Sequence, residues 1–181
     1  MAELTALPGL LMSHGSNILA TDRNAARSSQ RHFESTMTIT YTVCETLDDV
    51  VKCIAVRCIV FCGEQNISYL LERDEHDAGA LHILGTVDGE PVAVGRLRYL
   101  NGYAKLERIA IRAPWRHKGY GLGITQFMID TAKQQGFNTF KLNAQAHLES
   151  FYGKLGFRAA GDHFMEAGID HCPMKLVLQP A

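Results

Sequence analysis

The chain of 181 residues is long enough to form one domain with a sizeable core, and 46% of its residues are hydrophobic and 20% charged. Its formal net charge of -1 at pH 7 predicts no nucleic-acid partner, because such partners select strongly basic surfaces. No apolar run approaches the roughly 20 residues that span a bilayer, which predicts a soluble protein with no membrane partner.

Residues 1–36 differ in composition from the rest of the chain. They are rich in Ser, Asn, Arg and Ala and show no sustained period of 2 or 3.6 residues. Their apolar opening, LTALPGLLM, is interrupted by Pro8 and has no basic lead, so it does not indicate a secretory signal. We predict a flexible N-terminal extension over residues 1–36 and a single domain over residues 37–181.

The five cysteines are an odd number and show no CxxC spacing. Cys58 and Cys62 lie four apart on a predicted helix, but no second pair of ligands has a matching spacing. We therefore predict free thiols in a reducing, cytoplasmic environment, with neither a disulfide framework nor a bound metal.

The first predicted elements are a strand, a helix and three more strands. β-branched residues recur over residues 37–44, and Thr46 with Asp49 forms a capping box ahead of a helical apolar pattern. The turn dipeptides DG and NG then separate three strand-like runs. These runs, residues 81–87, 91–100 and 104–111, predict an antiparallel meander.

A helix, a strand and a second helix follow the meander. The patterns lie at residues 124–136, 138–144 and 147–156. Because a strand, a helix and a strand follow in this order, the strands at 104–111 and 138–144 are predicted to be parallel neighbours joined by a right-handed crossover. One or two further strands complete a mixed α/β sheet.

The stretch RHKGYGLG, residues 116–123, lies between a predicted strand and a predicted helix. Its glycines let backbone N–H groups at the positive end of the helix approach a ligand, and Arg116 can hold phosphate oxygens with a forked hydrogen bond. The stretch therefore predicts a diphosphate ligand. It matches neither the dinucleotide pattern GxGxxG nor the P-loop pattern GxxxxGK[ST], which excludes those two families.

Two motifs stand in order along the chain, R-x-x-G-x-G at residues 116–121 and FYGKLGF at residues 151–157. Together they resemble the GNAT superfamily of acyl-coenzyme A (CoA)-dependent N-acyltransferases. The resemblance runs from about Cys44 to Leu178, and the phrases VFCGEQ and EAGIDHCPM resemble the bacterial ElaA-like subgroup. It implies an α/β (α+β) GNAT fold, with a mixed, mostly antiparallel central sheet, helices on both faces and a splayed pair of parallel strands.

The resemblance also implies an acyl donor and its site. Acetyl-CoA would be the cosubstrate, with its pyrophosphate on the glycine-rich turn and its pantetheine arm along residues 109–111. Tyr152 occupies the general-acid position, with a simple core aromatic as the alternative, and Gln145 stands where many relatives have an asparagine. The implied cofactor-binding residues are Ile109, Ala110, Ile111, Arg116, His117, Lys118, Gly119, Tyr120, Gly121, Leu122, Gly123, Gln145 and Tyr152.

Acyl transfer to an amine needs an oxyanion donor and a route for the ammonium proton. The N–H of Ile109 or Ala110 is the candidate donor. Glu107 alternates with Ile109 along its strand, so we predict that Glu107 faces the acceptor as general base, with a solvated strand carboxylate as the alternative. The candidate substrate-binding residues are Glu72, His76, His82 and His171, with His163 as a further candidate.

We therefore predict an N-acetyltransferase that moves an acetyl group from acetyl-CoA to a primary amine of a small molecule or peptide in a direct ternary complex. The alternative is a catalytically slow acyl-CoA-binding sensor or interaction module with the same fold. A homodimer is compatible with the sequence. The acceptor does not follow from the sequence, because acceptor pockets are built from variable loops.

Overall fold

The computed structural model describes residues 38–179, so the predicted extension over residues 1–36 lies outside the described residues. The strands are β1 (Thr40–Val43), β2 (Leu81–Val87), β3 (Glu90–Leu100), β4 (Tyr103–Ile111), β5 (Thr139–Gln145), β6 (Arg158–Ala159), β7 (Phe164–Glu166) and β8 (Ile169–Val177). The α-helices are α1 (Leu47–Arg57), α2 (Tyr69–Glu72), α3 (Tyr120–Gln134) and α4 (Glu149–Gly153). Within residues 38–179, no helix is long and apolar enough to cross a membrane.

The strands form one mixed sheet in the order β1-β2-β3-β4-β5-β8-β6, with β7 paired to β8. β2, β3 and β4 form the predicted antiparallel meander, and β4 and β5 are the predicted parallel neighbours. The predicted fold class is therefore confirmed. Three strands follow α4 rather than one or two, because the long β8 pairs with both the short β6 and the short β7.

Two helices cover opposite faces of the sheet. Ala93 packs in the core cluster that includes α3, whereas its neighbour Val94 packs in the cluster that includes α1. α1 begins at the predicted capping box, in which the Asp49 N–H donates to Thr46 Oγ1 and the Thr46 N–H donates to Asp49 Oδ2, each at 3.2 Å. It continues as a π-helix over Cys58–Glu64, which carries the chain toward the edge of β4.

A β-bulge in β4 shapes the sheet near its centre. Arg96 of β3 pairs with Glu107, but Val94 pairs with Ala110, so β4 holds one extra residue between these pairs. Arg108 takes the left-handed conformation there, with φ 52°. Because of this extra residue, Leu106 and Ile109 both pack in the α3 cluster. The predicted alternation of Glu107 with Ile109 is therefore wrong, and the two side chains point to opposite faces.

The parallel strands separate soon after they meet. β4 and β5 pair through Ala104 with Phe140 and through Lys105 with Lys141. Beyond Lys105 the bulge turns β4 away, and this separation is the splay that the sequence predicted. It leaves the edge of β4 that faces β5 open to a ligand.

Candidate active site

The separating ends of β4 and β5 open into a cleft of about 1000 Å³. Its walls come from the π-helical segment after α1, from β4, from the turn before α3, from the end of β5, from α4 and from the hairpin of β7 and β8. The fold thus brings together segments that lie as far apart in the chain as residues 60 and 171. Most of the predicted site residues line this cleft.

The glycine-rich turn ends in the first turn of α3 at one end of the cleft. Gly119 is the N-cap of α3 with φ 83°, a conformation that favours glycine. The first N–H groups of a helix have no partner within the helix, and here they belong to residues that line the cleft. Two of the predicted amides are already engaged, because the Arg116 N–H donates to Ala113 O at 3.3 Å and the Gly123 N–H donates to Gly119 O at 3.0 Å.

Gly121 and Gly123 are glycines for a reason that the sequence did not reveal. A Cβ atom on Gly121 would lie 3.0 Å from Cζ of Phe151, and one on Gly123 would lie 2.3 Å from the hydroxyl of Tyr41. Because neither glycine has a side chain, α3 can pack closely on these two aromatic rings. Gly121 also lines the cleft, whereas Gly123 does not, so its predicted place in the cofactor site needs correction.

The basic side chains of the turn are held by the protein itself. Arg116 Nε donates to Ile111 O at 2.9 Å, and its Nη2 forms an ion pair with Glu64. Lys118 was predicted to bind the cofactor, but it does not line the cleft. Its Nζ lies 4.8 Å from the centre of the Trp115 ring, where the cation is attracted to the aromatic face.

Tyr152 lines the cleft and also belongs to the core, with only 7% of its surface exposed. Its ring meets Phe151 edge-on with 4.9 Å between ring centroids, and it meets Phe157 at 6.1 Å. Burial raises the pKa of Tyr152 to about 12. The phenol therefore keeps its proton at neutral pH, as a proton donor must.

Gln145 and His171 face each other across β5 and β8 at the inner end of the cleft. Gln145 Nε2 donates to Gln65 Oε1 at 3.0 Å. His171 Nδ1 lies 2.8 Å from Ile169 O, and a carbonyl oxygen can only accept, so Nδ1 carries the hydrogen. In the neutral ring, Nε2 is then the nitrogen that accepts a hydrogen bond.

A buried ionic network lies beside the cleft. Arg57 and Arg96 are 0% and 1% exposed. Arg57 Nε donates to Glu72 Oε1 at 2.5 Å, and its two terminal nitrogens donate to Asp77 at 2.6 and 3.1 Å. Arg96 forms a similar forked pair with Asp74 at 2.6 and 2.9 Å. Burial opposes the ionisation of Asp77, but hydrogen bonds from Arg57 and Arg96 outweigh it and lower its pKa.

Glu107 lines the cleft but belongs to this network. Its carboxylate accepts from Arg96 Nη2 and from Lys105 Nζ, each at 2.9 Å. Burial opposes its ionisation, yet the hydrogen bond from Lys105 and the charges around it lower the pKa of Glu107. Glu107 is therefore an ionised carboxylate and a weak base. Glu72 also lines the cleft, and its Oε2 has no hydrogen-bond partner within residues 38–179.

Three predicted histidines lie outside the cleft lining. His82 is 4% exposed, and its Nε2 lies 2.9 Å from Asp77 O. His76 precedes a short 3-10 turn, and its side chain is 40% exposed. His163 lies between two carboxylates near α4. Of the predicted substrate-binding residues, the structure brings together only Glu72 and His171, because the segment around residues 74–82 is held by the ionic network.

Several cleft residues were missed by the sequence analysis. They are Glu64, Gln65, Arg108, Trp115, His147, Phe151 and Glu166. The phrases VFCGEQ and EAGIDHCPM contain three of them and were noticed only as points of resemblance. Glu64 is the last residue of the π-helix, and Gln65 is its C-cap. Because a π-helix has no known sequence pattern, the sequence could not place these two residues beside β4.

The fold and the cleft define a class of protein. Residues 60–178 match the family model described as the acetyltransferase (GNAT) domain, and the chain belongs to this family. It is similar to YyaT of Bacillus subtilis, with 37% identity over 129 residues that cover 70% of this chain and 87% of YyaT. It is also similar to ElaA of Escherichia coli, with 30% identity over 128 residues that cover 67% of this chain and 82% of ElaA. The predicted relation to the ElaA-like subgroup is confirmed.

Solved structures agree with this assignment. The crystal structure of Escherichia coli ElaA has a TM-score of 0.70 and 25% identity to this chain, and the match covers 77% of this chain and 99% of ElaA. A Bacillus subtilis acetyltransferase in complex with CoA has a TM-score of 0.60 and 19% identity, over 78% of this chain and 100% of that chain. At this identity the second comparison shows the fold alone.

Proposed function

We propose that residues 37–181 form an acyltransferase domain that moves an acetyl group from acetyl-CoA to a primary amine. One observation carries the proposal: a single cleft joins the first turn of α3, the open edge of β4 and the side chain of Tyr152. These are an anion site, a strand edge for amide groups and a proton donor. Together they meet the needs of a pyrophosphate, a pantetheine arm and a departing thiolate.

The first turn of α3 would hold the pyrophosphate of the donor. The N–H groups of Gly121 and Leu122 lie at the positive end of the helix dipole, and the Arg116 guanidinium is beside them. The edge of β4 from Ile109 to Ile111 would pair with the amides of the pantetheine arm, because β5 has already separated from it. Acetyl-CoA supplies the thioester, which then lies between β4 and α4.

Three groups of the protein would serve the transfer. The N–H of Ile109 or Ala110 donates to the carbonyl oxygen as negative charge develops on it. The amine nitrogen bonds to the carbonyl carbon, the C–S bond breaks, and Tyr152 gives its phenolic proton to the sulfur. The amine nitrogen loses one proton to water in the open cleft. Glu107, with its lowered pKa, acts as a fixed negative charge on this side and not as the proton acceptor.

The acceptor amine would lie near Glu72 and His171. The accepting Nε2 of His171 offers a hydrogen-bond acceptor to an N–H group of the amine, and Glu72, whose side chain is buried against Arg57, lines the same cleft. The acceptor is a small molecule or a peptide with a primary amine. The five free thiols fit a reducing compartment, and we place the protein in the cytoplasm.

The test is release of free CoA thiol from acetyl-CoA in the presence of polyamines, amino acids, aminoglycosides and peptides. We expect thiol release that depends on one class of amine and the acetylated amine as product. Titration calorimetry with acetyl-CoA is run on the same sample. Binding without release on any amine would instead support a sensor or interaction module, and no binding would overturn both.

A further inference from the structure

We propose that Glu149, His163 and Cys172 form a binding site for a zinc ion outside the acyl-transfer cleft. These residues come from α4, from the loop before β7 and from β8. One possible ligand atom from each lies within 4.8 Å of the other two. Carboxylate, imidazole and thiolate are the side-chain groups that bind zinc in proteins.

His163 Nε2 and Glu149 Oε1 lie almost as far apart as two ligands of a zinc ion. His163 Nε2 lies 3.1 Å from Glu149 Oε1. With zinc–ligand bonds of about 2.0–2.3 Å, two ligands of a tetrahedral ion lie about 3.3–3.8 Å apart. Binding therefore replaces the contact between His163 and Glu149 with bonds to the ion, and these two groups need only small shifts. A fourth position is left for water.

Asp170 supplies the support that metal-bound histidines need. His163 Nδ1 lies 3.1 Å from Asp170 Oδ2, so this carboxylate holds the ring and turns Nε2 toward Glu149. A carboxylate on the second nitrogen of a metal-bound histidine fixes its tautomer and makes it a better ligand. Asp170 and Cys172 are two residues apart on β8 and so share one face of the sheet.

The donor atoms favour zinc. Cys172 is fully buried on a core strand, which fixes the place of its sulfur. When the ion binds, the thiol proton and any proton on His163 Nε2 pass to solvent, and the metal keeps its charge. Mg²⁺ and Ca²⁺ prefer oxygen-only sites, whereas a set with one sulfur, one nitrogen and one oxygen suits zinc.

The bound ion would link two separate segments of the fold to each other. His163 leads into β7, and Glu149 begins the helix that carries Tyr152. The ion would thus brace α4 against the β7 and β8 hairpin. The sequence predicts no metal because Cys58 and Cys62 have no second ligand pair of matching spacing. Glu149, His163 and Cys172 come from separate segments and follow no ligand spacing.

The test is metal binding by the full chain without an affinity tag, after removal of metal with a chelator. Cobalt(II) is titrated first, because a bound thiolate gives a charge-transfer band in the near ultraviolet. We expect one equivalent of Co²⁺ to give this band and Zn²⁺ to displace it. Glu149→Ala and His163→Ala should remove it, and Asp170→Asn should weaken the affinity about 10–100-fold.

Two further variants complete the test, one as a control and one at the third ligand. His76→Ala is the matched control, since His76 is similarly exposed and lies beside a carboxylate, and it should bind Co²⁺ like the wild type. Cys172→Ser should remove the band, but it changes a core position, so the half-buried Glu149 and the exposed His163 decide the question. A wild type without the band, or a band that survives both Glu149→Ala and His163→Ala, would overturn the site. Because no activity is measured, the result stands apart from the proposed acyl transfer.

Discussion

A Cβ atom on Gly121 would lie 3.0 Å from Cζ of Phe151, the residue next to Tyr152 in α4. The first turn of α3 and the helix that carries the proposed proton donor are therefore in contact at a point where no side chain fits. Close packing of this kind transmits a small shift at one element to its neighbour. The proposed anion site and the proposed proton donor thus share one structural support.

Gly121→Val is expected to harm both stability and donor binding. The larger side chain must displace Phe151, which lowers the free energy of unfolding by about 1–3 kcal/mol, and it also projects into the cleft. Gly123→Ala collides with Tyr41 outside the cleft, so it should lower stability and leave the affinity for acetyl-CoA largely intact. Gly79→Ala meets nothing within 4 Å and is the neutral control. Thermal unfolding measures the stability of each variant, and calorimetric titration measures its affinity for acetyl-CoA. A folded Gly121→Val protein with wild-type affinity would contradict the proposed anion site.

Tyr152→Phe should lower kcat about 100-fold or more, the scale of a positioned general acid, with little change in acetyl-CoA affinity. The ring contacts with Phe151 and Phe157 survive the change, so stability should hold. Tyr99→Phe, on a ring that stacks on Phe137 outside the cleft lining, is the matched control and should keep full turnover. Steady-state kinetics and thermal unfolding on each protein make the comparison. Wild-type turnover by Tyr152→Phe would assign the proton to another donor.

Local patterns predicted most of the fold. The capping box at Thr46 fixed the start of α1, and the alternating runs of the meander gave β2, β3 and β4, because hydrogen bonds and side-chain period act over a few residues. The order of strand, helix and strand was enough to pair β4 with β5, since crossovers have one preferred hand.

Features that depend on distant contacts could not be predicted. Arg108 is an ordinary residue in a left-handed conformation, and nothing in its neighbourhood marks the bulge that turned Glu107 away from Ile109. Arg57 and Arg96 look like surface residues in the sequence, but they are buried by carboxylates 11 to 22 residues away. For the same reason His171 could be named as a candidate for the cleft but could not be separated from His76 and His82, which lie outside it.

Arg116→Ala should weaken acetyl-CoA binding about tenfold or more, because a charge-assisted hydrogen bond to phosphate contributes roughly 1.5–3 kcal/mol. Glu64 forms an ion pair with the same guanidinium, so Glu64→Gln should have the opposite effect and tighten binding a few-fold, since one competing negative charge is removed. Both changes should be smaller at high salt. Calorimetric titration at two salt concentrations measures them. Equal affinities for the wild type and Arg116→Ala, with both proteins folded, would remove Arg116 from the site.

Acid should destabilise the protein through the buried network. Burial opposes the ionisation of Asp74, Asp77 and Glu107. Hydrogen bonds from Arg96 to Asp74, from Arg57 and Arg96 to Asp77, and from Lys105 to Glu107 nevertheless lower all three pKa values. A carboxyl whose pKa is lower in the folded state adds stability above its unfolded pKa, near 3.9 for Asp and 4.3 for Glu, and this stability is lost as the pH falls through the folded pKa. The Tm should therefore change little between about pH 7 and 5 and should fall steeply below about pH 4.

Arg96→Met tests the source of this dependence. Removal of one partner from a buried ion pair costs about 3–5 kcal/mol at neutral pH, because the partly buried carboxylates lose the charge that pairs with them. Without Arg96 the pKa values of these carboxyls rise, so protonation in acid relieves their repulsion and the fall of Tm below about pH 4 should be smaller than in the wild type. Arg158→Met, at an exposed position on β6, should match the wild type at each pH. Thermal unfolding from pH 7 to 3 decides the matter: parallel curves for Arg96→Met and the wild type would place the acid sensitivity elsewhere.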